Sequence, residues 1–120
     1  MVLKDFEKKA IALLTFGLFT YDDVVAISRE AEFVGLEHTG VGYFLTIKHP
    51  RFSQERHVYS KPIVIGEIPG AVVGFLVFIE NGDLMLECHG WGADSVTKDI
   101  REMDVQVDRV TIEDGKFIKF

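Results

Sequence analysis

The chain is 120 residues long, 48% apolar and 27% charged, which are the proportions of one globular domain and not of a disordered segment or a membrane protein. Nineteen acids against thirteen bases give a net charge of −6. That balance argues against nucleic acid as a partner, because phosphate binding needs a concentrated Lys/Arg surface.

One cysteine cannot form an intramolecular disulfide. The opening stretch MVLKDFEKKAIALLTFGLF is interrupted by Asp5 and Glu7, and no long uncharged run or small-residue cleavage site follows, so it reads as part of the fold. The expected compartment is cytoplasmic, with no membrane contact.

In the first sixteen residues Leu3, Phe6, Ala10, Leu13 and Leu14 recur at helical spacing, with Lys4, Glu7 and Lys8 largely on the other side. Gly17 is the expected stop. A second helix starts at Thr20, whose hydroxyl can cap it, with Asp22 and Asp23 in the first turn and Val24, Ile27 and Ala31 as its buried stripe.

From residue 33 the period changes to two. FVGLEH and GYFLTIKH read as strands around the turn TGVG, RFSQERHVYSK as a loop with a short strand at Val58, and PIVIGEI as a further strand ended by Pro69-Gly70. Asn81-Gly82 between two apolar runs marks a tight hairpin. Asp114-Gly115 repeats the device between VQVDRVTIE and KFIKF, setting Glu113 opposite Lys116 and Ile112 opposite Phe117. The alternation slips between Val107 and Val110, which predicts a bulge or break near Asp108. In DSVTKDIREMD, Val96, Ile100 and Met103 have the spacing of one short helix. Helices first and strands after predict an α+β fold over residues 1–120: two N-terminal helices on a mostly antiparallel sheet of about six strands.

The stretch LECHGWG is the most chemical one, with Cys88, His89 and Trp91 within four residues. An Asn81-Gly82 turn pairs Ile79 with Leu84, Val77 with Leu86 and Phe75 with Cys88 on one face. On the other face it pairs Phe78 with Met85, Leu76 with Glu87 and Gly74 with His89. Adjacent strand residues point to opposite faces, so Cys88 is expected in the core and cannot pair with His89 as nucleophile and base. Glu87 and His89 share the second face, and Gly-Trp-Gly reads as a strand leaving the sheet with Trp91 laid over its rim.

His38, His49 and His57 lack metal-ligand spacing, GVG and GEIPGAVVG match no phosphate-binding loop, and no serine sits in a nucleophile motif. No metal or other cofactor is expected.

The pattern HTGVGYFLTI … IPGAVVGFLVFIENGDLMLECHGWG, residues 38–92, resembles small cytosolic bacterial proteins, some of them similar to immunity proteins that neutralise toxins of neighbouring cells. The resemblance implies an inhibitor that binds one toxin domain and has no catalysis of its own. The acidic balance suits a basic target, with carboxylates standing in for phosphates. The expected contacts are Glu87, His89, Trp91 and Asp94. Two other readings stand beside it. One is a small-molecule-binding or enzymatic domain with a pocket between helices and sheet, lined by Tyr43, Phe78 and Met85 and approached by His89. The other is a homodimer through the second face of the hairpin.

Overall fold

A computed structural model describes residues 3–91 and 96–119. Two ten-residue helices, α1 (Asp5–Leu14) and α2 (Tyr21–Glu30), come first. Helices this short are marginal alone, so packing has to hold them. Thr20 caps α2 as expected: its Oγ1 accepts from the Asp23 N–H at 3.1 Å, and the Asp23 carboxylate accepts from the Thr20 N–H at 2.9 Å. Gly17 takes φ 88° in the link between the two helices.

Eight strands follow among the described residues, more than the expected number of about six: β1 (Glu32–His38), β2 (Gly42–Lys48), β3 (His57–Tyr59), β4 (Ile63–Ile68), β5 (Ala71–Glu80), β6 (Asp83–Gly90), β7 (Gln106–Glu113) and β8 (Lys116–Lys119). They form one antiparallel sheet in the order β1-β2-β6-β5-β4-β7-β8, with β3 also paired to β5. The β5–β6 register is the one set by the Asn81-Gly82 turn, from Glu80↔Asp83 to Gly74↔His89, and Asn81 and Gly82 take φ 57° and 79°. The β7–β8 hairpin likewise sets Glu113 opposite Lys116 and Ile112 opposite Phe117.

Two local expectations fail. No bulge occurs near Asp108: β4 and β7 pair without a shift from Glu67↔Gln106 to Ile63↔Val110. The alternation slips because β7 buries residues on both faces, Val107 in the core under the helices and Val110 on the opposite side. The irregularity lies in β1 instead, between Phe33 and Gly35. The second departure is the expected helix around Val96, Ile100 and Met103. Among the described residues it is one 3-10 turn, Ile100–Glu102, with Val96 and Ile100 buried.

Both helices lie on one face of the sheet. α1 packs on β4, β5 and β7, with Phe6 6.2 Å from Phe75 between ring centres. Val24 and Ile27 of α2 gather with Ile11, Phe19, Ile47, Phe52 and Leu84. Each of these buried side chains contributes roughly 1.5–3 kcal/mol relative to exposure. Glu7 is a correction. Its place among charged neighbours suggested the solvent side, yet it faces the core and is fully buried. Among the described residues no helix lies on the other face of the sheet, the open face.

Candidate functional site

The β5–β6 register separates the reactive-looking pair of the sequence. Cys88 lies opposite Phe75 and Tyr43 on the helix-side face and is 1% exposed. Burial pushes its thiol pKa up, and the Glu7 and Glu87 charges push the same way, so the sulfur stays protonated. Cys88→Ala is therefore expected to lose about 1–2 kcal/mol in a urea melt, as trimming a small buried side chain does, and to keep any partner affinity. A loss of binding without a loss of stability would contradict the core assignment.

Beside Cys88 lies the strongest cluster of titratable groups in the described residues. The Glu7 carboxylate accepts from Arg101 Nε and Nη2, each at 2.8 Å, from the Tyr43 hydroxyl at 2.5 Å and from the Lys4 N–H at 2.8 Å. Four donors saturate its two oxygens. Burial raises the Tyr43 pKa, with the Glu7 charge acting in the same direction. The hydrogen bond to Glu7 raises that of Arg101. No lone pair is left for a substrate, so this cluster ties α1 to β2 and to the 3-10 turn.

Glu87, His89 and Trp91 sit on the open face. Cross-strand partners share a face, and Gly42 and Gly74 flank His89 on either side. A Cβ at Gly74 would come within 2.8 Å of His89 Nε2 and 3.0 Å of Trp91 Cε3. The missing side chain is thus the space in which the two rings lie. His89 and Trp91 stack at 6.4 Å with 23° between planes, and Trp91 meets Phe117 of β8 edge-on at 5.1 Å. Ile65, the other neighbour of Gly74, and Val110 are each 1% exposed on this helix-free face. His89 Nδ1 is buried without a hydrogen-bond partner among the described residues, 3.9 Å from Glu87 Oε2. Asp94, the fourth expected contact, lies outside the described residues.

The pocket expected from Tyr43, Phe78, Met85 and His89 does not form. Tyr43 is fully buried under the helices, while the other three occupy the opposite face. Phe78 and Met85 instead line an open depression of about 280 Å³ with Thr46, Arg56 and Glu80. Half-buried Phe44 and Leu76 extend the apolar surface on the same face.

Ion pairs cover most of the charge on this face. Lys48 pairs with Asp83 at 3.0 Å and stands opposite Glu32, Arg56 reaches Glu80 at 3.8 Å, and Lys119 bridges Glu67 at 2.8 Å and Asp108 at 3.4 Å. Glu37 and Glu87 have no lysine or arginine partner among the described residues. They flank Phe44 in a cross-strand row, Glu37↔Phe44↔Glu87↔Leu76. The sequence does not place Phe117, Glu37 and Phe44 beside Glu87 and Trp91, because the pairings that carry their hairpins there, β2–β6 and β4–β7, join distant parts of the chain.

The fold and site define a two-layer α+β domain: a helix pair covers one face of an antiparallel sheet and leaves an aromatic, acidic face open. In comparisons with known proteins, no family model, no curated protein and no solved structure matches the chain. Among the described residues no helix is long and apolar enough to cross a membrane, and no group of three or more His, Cys, Asp or Glu side chains could hold a metal ion.

Proposed function

We propose that the protein is a non-catalytic binding domain that docks a basic partner protein on its open sheet face, in its most concrete form as an immunity-type inhibitor of a toxin domain. The observation that carries this reading is the composition of that face. Phe44, Leu76, Phe78 and Met85 are half-buried there with no helix over them, next to the Trp91–Phe117 pair. Contiguous apolar surface rimmed by charge is the usual mark of a docking site, and aromatic side chains tend to anchor one. Seven carboxylates (Glu32, Glu37, Glu67, Glu80, Asp83, Glu87 and Asp108) stand against three cations (Lys48, Arg56 and Lys119), a difference of −4 with His89 neutral. Such a face attracts a basic protein and repels nucleic acid. It also disfavours a second copy of the chain, since an isologous dimer would set one acidic face against another.

A photo-crosslinking residue at Met85 tests the proposal in the native cell. The expected capture is one basic protein, in a complex that weakens as salt is raised, with no capture from the same residue placed at Asp22 on α2. Crosslinks from Asp22 alone, or from Met85 only to a second copy of the chain, would sink the reading.

A further inference from the structure

The charge pattern on the open face is uneven in a way that selects one spot. Glu67, Glu80, Asp83 and Asp108 each have a lysine or arginine within 4 Å, and Glu32 stands opposite Lys48. Among the described residues Glu37 and Glu87 do not, and they are the two acids that flank Phe44 across the strands. They lie two strands apart, on β1 and β6, so each faces Phe44 of β2 and not the other.

The Glu87 side chain is only 25% exposed, set between Phe44 and Leu76 with no hydrogen bond among the described residues. Among the described residues the one basic group near it is His89, whose Nδ1 stands 3.9 Å from its Oε2, beyond hydrogen-bond range. A partly desolvated carboxylate on an apolar floor loses water contacts and gains no protein donor in return, so an incoming cation meets it on favourable terms.

We propose, resting on the docking reading above, that this row seats an arginine of the partner protein. The guanidinium lies over the Phe44 ring, and its donors reach Glu87 on one side and Glu37 on the other. Arginine fits better than lysine because its planar, weakly hydrated head stacks on a ring while donating sideways to two carboxylates. Leu76 supplies an apolar wall for its methylene stem.

The test uses hexa-arginine, hexalysine and hexaglutamate peptides at low salt, followed by the amide shifts of the whole chain in NMR titrations. Hexa-arginine is expected to shift Phe44, Leu76 and Glu87 together and to saturate, with hexalysine several-fold weaker and hexaglutamate without effect. Glu87→Gln, which keeps shape and removes charge, is expected to weaken hexa-arginine about tenfold, and Glu37→Gln by a smaller factor. Glu102→Gln, on the 3-10 turn away from the row, is expected to change nothing. Shifts scattered over all the acidic surface, equal affinity for both basic peptides, or an unchanged affinity in Glu87→Gln would overturn the seat.

Failure here is distinct from failure of the docking reading. Capture of a basic partner through Met85 with no dependence on Glu87 removes the arginine seat alone. A working seat with no crosslink from Met85 removes the docking reading.

Discussion

Glu7→Ala is expected to destabilise the protein by about 3–5 kcal/mol, because it takes from a largely buried guanidinium and a buried phenol the carboxylate they share. The carboxylate is fully buried and the Arg101 side chain only 11% exposed, so water can replace little of what is lost. Four hydrogen bonds end at once, and three of them come from residues 36 and 94 positions away. The removal therefore loosens the seam between α1, β2 and the 3-10 turn as well as one side chain.

The effect belongs to breaking the pair and not to the pair as such. A triple variant, Glu7→Leu with Arg101→Leu and Tyr43→Phe, is expected to recover most of the loss, since apolar groups of similar volume replace buried ion pairs at little or no cost. Urea melts at neutral pH measure both. A Glu7→Ala protein within about 1 kcal/mol of the parent would mean that water reaches the site and that the seam is looser than its distances imply.

The same residue shows where sequence reasoning stops. Lys4, Glu7 and Lys8 look like one solvated face, and only the arrival of Tyr43 and Arg101 from distant positions makes an inward Glu7 tolerable. Local chemistry was legible. Asn81-Gly82 set the β5–β6 pairing residue by residue, and with it the opposite orientations of Cys88 and His89. Thr20 and Asp23 marked the start of α2.

What pairs over long separations was not legible. Nothing in GYFLTIK says that it lies beside LMLECH, nor in PIVIGE that it joins QVDRV, so the row that gathers Glu37 and Phe44 around Glu87 could not be drawn. The same gap explains the expected bulge at Asp108. A strand with buried residues on both faces breaks the period of two without any break in its backbone, and burial of Val110 depends on side chains brought by other strands. Glu87, His89 and Trp91 were found together because alternation along one strand is local. Phe117, which completes the aromatic group, belongs to another hairpin.

Gly42→Ala is the second large effect, and it bears on the site directly. A Cβ at Gly42 would lie 1.8 Å from the Cys88 carbonyl oxygen, 2.7 Å from its carbon and 2.8 Å from the His89 Cα. All three are backbone atoms, so no rotamer change relieves the clash and the ends of β2 and β6 must separate. Overpacking costs about 1–3 kcal/mol where side chains can move, and here the upper end or beyond is expected. The Gly90 N–H bond to the Val41 carbonyl at 2.6 Å closes this same end of the pair, so amide exchange at Gly90 is expected to accelerate along with the drop in urea midpoint. Gly35→Ala in β1 is the control, since a Cβ there meets nothing within 4 Å. Filling a strand glycine in open space is expected to be neutral or mildly stabilising. Equal stability of the two variants would mean that β2 and β6 are not held this close. In that case Glu37 and Phe44, which reach Glu87 only through the β2–β6 pairing, would lose their place beside it, and the arginine seat would go with them.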